Sequence, residues 1–149
     1  MKLYDSVALI LRRKGSSVHS ISPDVTVYQA LEKLAEKDIG ALVVMDGTNL
    51  VGILSERDYV RKVILKGFSS RELKVHEIMS SPVVSVSPST TVDDCMRSMT
   101  DERCRHLPVV EEGKVVGVVS IGDLVNWIIT AQDDTIHHLE GYISGKYPA

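Results

Sequence analysis

Two long segments of this chain match each other without a gap. Residues 18–60 align with residues 83–125 at an offset of 65 positions, and 13 of the 43 aligned pairs are identical. Ordinary protein composition would give about three identities by chance. A shorter stretch before each segment, here called its prelude, also matches at an offset of 68: Val7, Ile10 and Leu11 align with Val75, Ile78 and Met79. We therefore interpret the chain as an internal duplication, and its fold must contain two similar halves.

Each copy contains the same signals of secondary structure in the same order. An extended run rich in β-branched residues comes first, at residues 18–21 and 83–86. A helix with an N-terminal capping pattern follows, introduced by Thr26 and Thr91. A hairpin and a final helix complete the copy. The predicted hairpin strands are residues 41–46 and 50–55, then 106–111 and 115–120. The order β-α-β-β-α, occurring twice, predicts an α+β fold.

Neither copy is large enough to fold alone, because a unit of about 43 residues buries too little of its surface. The hairpin strands are apolar on both faces, which is typical of sheets covered on both sides. We therefore expect the two copies to pack about a pseudo-twofold axis, with two related clefts between them where ligands bind. The predicted domains are repeat one with its prelude helix at residues 1–66 and repeat two at residues 67–130.

Apolar residues at helical spacing continue beyond the second copy. The pattern runs from Trp127 to Ile143 and predicts an amphipathic tail helix at residues 131–149. A single pair of repeats offers little surface to cover this stripe, so we expect it to contact a second copy of the chain in a homodimer. Packing of the tail onto its own pair is the alternative.

Composition argues against several classes of protein. The net charge is −3 and aromatic residues make up 5%, which does not favour a nucleic-acid-binding surface. No apolar run approaches the roughly 20 residues that cross a bilayer, and the first 15 residues lack the pattern of a secretory signal. Cys95 and Cys104 have no CxxC spacing, so we expect buried thiols in a reduced, cytoplasmic protein.

The strongest candidate for function is a Gly-x-x-Ser-x-x-Asp segment present in both copies. It reads GILSERD at residues 52–58 and GVVSIGD at residues 117–123. The serine ends a strand and a helix follows, which suits backbone N–H groups to bind a phosphate. The aspartate is placed to accept hydrogen bonds from both hydroxyls of a ribose. The same pattern also caps a helix without any ligand, and a duplication copies its caps, so both interpretations stay open.

The duplicated order of elements, these two segments and the strand entry CRHLPVV at residues 104–110 together resemble a CBS-domain pair, also called a Bateman module. The resemblance covers residues 5–130 and is to the stand-alone type, which has no attached enzyme. It implies that each cleft takes an aspartate from one repeat and a strand entry from the other. The first cleft would use Asp58 for the ribose, Ser55 and Arg57 near the phosphates, and Val84, Arg105 and His106 from repeat two. The second cleft would use Asp123 for the ribose, Ser120 and Gly122 nearby, and His19, Gly40 and Ala41 from repeat one.

The resemblance also implies a regulatory homodimer that binds an adenosine-containing molecule and contacts the adenine through main chain. AMP is the favoured ligand, with ADP, ATP and NAD as alternatives; no cofactor is obligatory, and the regulated protein is not identified. The first cleft has Arg57, Arg105 and His106 as cations, whereas the matching places of the second hold glycine and alanine. We therefore expect the first cleft to depend more on phosphate and the second to be roomier, unless the arginines are solvated surface charges.

Other functional motifs are missing from the sequence. It contains no P-loop, no Gly-x-Ser-x-Gly nucleophile elbow and no HExxH motif. His137 and His138 are adjacent on a predicted helix and cannot both face one ion, so no metal site is expected. We expect neither catalysis nor a nucleic-acid or membrane partner. Two alternatives remain: an enzyme acting on a nucleotide or through the thiol of Cys95 or Cys104, and an interaction scaffold whose clefts stay empty.

Overall fold

The computed structural model describes residues 2–130, and the predicted tail helix at residues 131–149 lies outside the described residues. After a 3-10 turn (Lys2–Tyr4), the helices are α1 (Val7–Lys14), α2 (Val27–Lys37), α3 (Glu56–Tyr59, continued by a π-helical turn at Val60–Ile64), α4 (Val75–Ile78), α5 (Val92–Glu102) and α6 (residues 121–130). The strands are β1 (Ser20–Ile21), β2 (Ala41–Asp46), β3 (Asn49–Ser55), β4 (His106–Glu111) and β5 (Lys114–Ser120). The predicted α+β class is confirmed.

Both hairpins form, but each turn is one residue shorter than predicted. Asn49 and Lys114 belong to strands β3 and β5 and pair with Asp46 and Glu111. The turns are therefore two residues long rather than three. At residues 112–113 both φ angles are positive, as in the hairpin turns whose twist matches that of the strands they join.

The first repeat has three paired strands, in the order β1-β2-β3, whereas the second has only the β4-β5 hairpin. The prediction of a strand at residues 83–86 is therefore wrong; only an isolated parallel bridge joins Val86 to Val109. Pro108 supplies the physical reason. In the first repeat the N–H of Val43 donates to His19 O, whereas Pro108, at the matching place, has no N–H to donate to Val84.

The two long helices begin and end as copies of each other. The Thr26 side chain accepts a hydrogen bond from Gln29 N at 3.2 Å, and the Thr91 side chain accepts one from Asp94 N at 3.2 Å. These contacts confirm the predicted caps. Helix α2 is followed by Asp38 at φ 52° and α5 by Arg103 at φ 53°, both in the left-handed region.

Each prelude helix packs into the repeat that it does not precede. Helix α1 contributes Val7, Ile10 and Leu11 to the buried core of the second repeat. Helix α4 contributes Val75 and Ile78 to the core of the first. The predicted domain boundary between residues 66 and 67 follows the sequence repeat. In the packing, however, each prelude lies in the domain on the other side of that boundary. Each core is therefore completed by the other half of the chain.

The main chain fixes this exchange with matching hydrogen bonds. Val7 N donates to Thr90 O at 2.8 Å, and Val75 N donates to Val25 O at 2.9 Å. Since Val7 aligns with Val75 and Thr90 aligns with Val25, the two contacts are copies of each other. The repetition of these contacts supports the predicted pseudo-twofold arrangement.

A glycine in each hairpin allows the crossed prelude to approach. A Cβ added at Gly117 would lie 2.8 Å from both δ-methyl groups of Leu11. A Cβ added at Gly52 would lie 2.5 Å from Met79 Sδ. These separations are shorter than carbon and sulfur atoms tolerate, so a side chain at either position would force Leu11 or Met79 to move. Among residues 2–130, no helix combines the length and apolar character that crossing a membrane requires.

Gly117→Ala tests the exchanged packing. We expect it to lower the free energy of unfolding by about 1–3 kcal/mol, because the new methyl group overpacks the site against Leu11. In a Leu11→Ala background the same change should cost less, because the clashing methyl groups are gone. Urea unfolding of the natural protein, Gly117→Ala, Leu11→Ala and the double variant measures the loss of unfolding free energy in both backgrounds. Equal costs in the two backgrounds would show that α1 does not pack on this hairpin.

Candidate functional site

The first cleft lies where the end of β3 meets the connection between α5 and β4. Its cavity is about 70 Å³ and is lined by Ile53, Ser55, Arg57, Asp58, Arg61, Arg103, Cys104, Arg105 and His106. Five of the six residues predicted for this cleft are in the lining, and they come from both repeats. The sixth, Val84, is half-buried against the core of the second repeat instead.

Asp58 caps the helix that follows β3. Its carboxylate accepts hydrogen bonds from the N–H of Ser55 at 2.9 Å and, more weakly, from the hydroxyl of Ser80 at 3.3 Å. Lys62 Nζ forms an ion pair with Asp58 Oδ1 at 3.1 Å, and the Asp58 side chain is only 12% exposed. The capping interpretation of the motif is therefore correct for this copy. The cap also holds the carboxylate in a fixed orientation at the cavity wall.

The second cleft is the larger of the two. Its cavity is about 300 Å³ and is lined by Lys14, Gly15, Ser17, His19, Ile39, Gly40, Ala41, His106, Val118 and Ser120. Cavities that bind small molecules have volumes of about 300–1,000 Å³, so this one reaches the lower end of that range. Four predicted residues, His19, Gly40, Ala41 and Ser120, are in its lining. Gly122 is exposed beside Ser120.

Lys14 reaches across the second cleft to the predicted ribose carboxylate. Its Nζ lies 2.6 Å from Asp123 Oδ2 and 2.8 Å from Val118 O. The same carboxylate oxygen accepts a hydrogen bond from Ser120 N at 2.8 Å, so Asp123 also caps its helix. Among the described residues, Asp123 Oδ1 has no hydrogen-bond partner. The matching positions of this cleft hold no cation, as expected, but α1 brings Lys14 into it from outside the aligned repeat. The cavity of the second cleft is also the larger, as expected.

His106 forms part of the lining of both clefts. Its ring lies against Gly40, where an added Cβ would be 3.2 Å from Nε2. Burial lowers the pKa of His106, and the positive charges of Lys14 and Arg105 lower it further, while Asp123 and Asp58 oppose them. The imidazole therefore favours the neutral form on the wall between the two cavities. We predicted His106 for the first cleft alone.

Four arginines surround the first cleft and are here called the arginine cluster: Arg57, Arg61, Arg103 and Arg105. Partial burial lowers the pKa of Arg57, and the like charges of Arg105 and Arg61 lower it further, against the effect of Asp58. Since arginine does not lose its proton in proteins, the lowered pKa reflects first the cost of partly burying the charge and then repulsion from Arg105 and Arg61, rather than a titration.

The two thiols are poor nucleophiles where they lie. Cys95 is buried, and burial raises the pKa of its thiol to about 11, with a further contribution from Asp94. Burial and then Glu102 raise the pKa of Cys104 as well. Because a thiolate is the reactive form, both environments disfavour thiol chemistry. Within residues 2–130, no group of three or more His, Cys, Asp or Glu side chains is placed to hold a metal ion. His137 and His138 lie outside the described residues.

The sequence patterns did not lead us to three of the cations in these clefts, Arg61, Arg103 and Lys14. Arg61 follows Arg57 by four residues, and this spacing places both on one helix face, so the signal was present. Arg103 lies two residues before Arg105, directly before the strand entry at residues 104–110 that carried the family resemblance. Lys14 could not be found in this way, because its place depends on the exchange of the preludes.

Comparison with known proteins agrees with this geometry. The CBS domain family model matches residues 11–65 and 75–130. This chain belongs to the CBS-domain family. The mitochondrial CBS domain-containing protein CBSX3 of Arabidopsis thaliana is 36% identical over 151 residues, which cover 95% of this chain and 73% of that protein. The two family matches coincide with the two repeats of the sequence.

Solved structures of CBS-domain proteins have a similar fold over most of this chain. One from Burkholderia ambifaria MC40-6 is 46% identical, with a TM-score of 0.82, and the match covers 86% of this chain and 96% of that one. A CBS pair therefore makes up nearly all of that structure, as in the predicted stand-alone type. A hexameric CBS-CP12 protein from bloom-forming cyanobacteria is 28% identical, with a TM-score of 0.75, over 84% of this chain and 72% of that one.

The environment of His106 predicts a pH dependence of stability. Because its folded-state pKa is below the unfolded value of about 6.5, the unfolded chain binds more protons as the pH falls. The contribution of neutral His106 to the free energy of unfolding is therefore complete above a pH of about 6.5 and is lost as the pH falls below that value. The unfolding free energy of the natural protein minus that of His106→Gln should therefore be larger near pH 8 than near pH 5. Urea unfolding measures this difference, and a difference that grows on acidification would contradict the assignment.

Proposed function

We propose that this CBS-domain protein binds adenine nucleotides in the two clefts between its repeats and regulates another protein without catalysing a reaction. The observation that carries the proposal is the placement of the two aspartates. Asp58 lines the first cavity, and Asp123 contacts Lys14 and Ser120, two residues that line the second. A helix cap orients each carboxylate, and each cavity is built from both repeats. That is where the family resemblance requires a ribose-binding carboxylate.

The second cleft suits AMP, our favoured ligand, with ADP, ATP and NAD as alternatives. Ile39, Ala41 and Val118 supply apolar walls for a base. The unpartnered oxygen of Asp123 is available to ribose hydroxyls, and Lys14 is placed to leave Asp123 for the phosphate. A charge-assisted hydrogen bond of this kind is about twice as strong as a neutral one.

Binding of this type supports regulation without bond chemistry. A nucleotide held by Asp123 of the second repeat and by Gly40 and Ala41 of the first links the positions of both repeats. If the ligand binds two arrangements with different affinity, it shifts their populations, and a partner protein can respond to the shift. The raised pKa values of both thiols argue against catalysis by either cysteine. We propose the cytoplasm as the location, because two cysteines without CxxC spacing fit a reduced protein.

Asp123→Asn tests nucleotide binding. The amide oxygen can still accept from Ser120 N and cap the helix, but the negative charge that attracts both ribose hydroxyls is lost. We expect the natural protein to bind AMP in titration calorimetry and Asp123→Asn to bind it about tenfold more weakly, the loss expected for a hydrogen bond to a charged group. Asp101→Ala, an exposed position on α5, is the control and should not change the affinity.

Thermal unfolding extends this test to other ligands. A nucleotide present at about 100 times its Kd stabilises the folded state by about 2.7 kcal/mol, which raises the melting temperature. If AMP, ADP, ATP and NAD all fail to raise it at millimolar concentration, nucleotide binding is disproved and an empty-cleft scaffold becomes the better account.

We also propose that the protein is a homodimer. Exposed apolar side chains recur at matching places after the two hairpins, Val60 with Val125 and Ile64 with Ile129, and each is at least 41% exposed. Leu65 is 74% exposed and extends the set. Singly exposed apolar residues are common, but recurrent exposure along two helices is typical of an interface. Part of the predicted contact, the tail at residues 131–149, lies outside the described residues.

Ile64→Glu tests the dimer. Since Ile64 is 52% exposed, a charge there should leave the fold intact but disrupt association. We expect light scattering after gel filtration to give a dimer mass for the natural protein and a monomer mass for this variant. Tyr4→Glu, at another exposed residue outside the set, should remain dimeric. A natural protein that is monomeric at all concentrations would refute the proposal.

A further inference from the structure

The carboxylate of Asp58 in the first cleft is fully occupied by groups of the protein itself. Its Oδ2 accepts hydrogen bonds from the N–H of Ser55 at 2.9 Å and from the hydroxyl of Ser55 at 3.1 Å. Its Oδ1 lies 3.1 Å from Lys62 Nζ and accepts a weaker hydrogen bond from the hydroxyl of Ser80 at 3.3 Å. A carboxylate offers about four acceptor positions on its two oxygens, so none is left for the hydroxyls of a ribose.

The matching carboxylate of the second cleft is only half occupied. Asp123 Oδ2 accepts from Ser120 N at 2.8 Å and from Lys14 Nζ at 2.6 Å. Among residues 2–130, no group donates to Asp123 Oδ1. The Asp123 side chain is also 22% exposed, against 12% for Asp58. A ribose hydroxyl can therefore bind to Asp123 before any protein group moves, whereas at Asp58 a protein group must leave first.

The ion pair of the first cleft depends on a lysine that the second repeat does not match. Lys62 follows Asp58 by four residues and also donates to Ile78 O at 2.9 Å, which holds its Nζ in place. At the repeat offset of 65 positions, Lys62 corresponds to Trp127. The indole N–H of Trp127 donates to Asp5 Oδ2 at 3.1 Å instead. The position that closes the first carboxylate therefore carries no cation in the second repeat.

The main chain holds Ser80 beside the first cleft. Ser80 N donates to Ile53 O at 2.9 Å, and Ile53 N donates to Ser80 O at 3.1 Å. With this pairing intact, the hydroxyl leaves Asp58 by rotation of its side chain. The cavity here is about 70 Å³, whereas cavities that bind small molecules begin at about 300 Å³. The empty first cleft therefore has neither the room nor a free acceptor for a nucleoside.

We propose that Lys62 and Ser80 close the first cleft until they turn away from Asp58, so that nucleotides fill the second cleft first. The inference rests on the proposed function and concerns the regulation of the same two clefts. A nucleotide that enters the first cleft must replace both contacts, so part of its binding free energy goes into opening the site and its apparent affinity falls. The protein then responds to the same nucleotide in two ranges of concentration.

A nuclear magnetic resonance titration measures the affinity of each cleft separately. The amide signal of Ser55 reports on the first cleft and that of Ser120 on the second. The double variant Lys62→Met/Ser80→Ala removes both closing contacts. Ser80→Ala alone keeps the ion pair, so it decides the test if the double variant is too unstable to measure. Lys66→Met is the control, at an exposed lysine that forms no ion pair within the described part of the chain.

The ligands are AMP and adenosine, and adenosine has no phosphate that Lys62 could contact. We expect AMP to saturate the Ser120 signal of the natural protein at a concentration about tenfold or more below that for Ser55. The double variant should bind both ligands about tenfold more tightly in the first cleft, as expected when a competing weak hydrogen bond and a part-exposed ion pair are removed. Ser80→Ala alone should strengthen this binding about threefold. The second cleft should change by less than about twofold throughout, and Lys66→Met should change neither cleft.

The outcomes separate this inference from the proposed function. Equal affinities of the two clefts in the natural protein, or a first cleft that neither variant strengthens, would overturn the inference and leave nucleotide binding intact. If AMP binds neither cleft of the natural protein but binds the first cleft of the double variant, the closing contacts are supported and the proposed function is overturned. If AMP and adenosine bind to none of these proteins, both are overturned.

Discussion

The exchange of the two preludes is the interaction on which the rest of the structure depends. Helix α1 buries its apolar residues in the second repeat and α4 buries its own in the first, so neither repeat has a complete core without the other. The clefts follow from the same exchange. Leu11 packs on Gly117, and three residues further on Lys14 reaches Asp123. A change in the position of one repeat would therefore alter both its core and a cleft, and this coupling is the physical basis of the regulation that we propose.

The Gly-x-x-Ser-x-x-Asp segment combines two functions that first look like alternatives. Its aspartate caps a helix in both repeats. The cap fixes the carboxylate of Asp58 at the wall of the first cavity and that of Asp123 beside Lys14 and Ser120, which line the second. A fixed carboxylate costs less entropy to engage than a free one, so capping prepares the group for ligand binding rather than competing with it. Its glycine allows the opposite prelude to approach. The spacing therefore serves packing, capping and, in our proposal, recognition of the ribose.

The fold could be predicted further from the sequence than the site. The repeat, the two capped helices and the hairpins were all evident from residue patterns, because they depend on local contacts. The lost strand at residues 83–86 could also have been predicted, because Pro108 removes the N–H that a neighbouring strand would need. The contact of Lys14 with Asp123 could not, because it joins residues 109 positions apart through an exchange that periodicity does not report. The two clefts differ because matching positions of the two repeats carry different side chains.

The central claim is that a nucleotide binds between the two repeats on the capped aspartates. A crystal structure of the protein with AMP tests it most directly. The account predicts AMP in the second cleft, with both ribose hydroxyls within hydrogen-bond distance of the Asp123 carboxylate and Lys14 Nζ turned from Asp123 to the phosphate. AMP bound away from both clefts, or bound with the ribose remote from Asp123 and the ion pair with Lys14 intact, would contradict it.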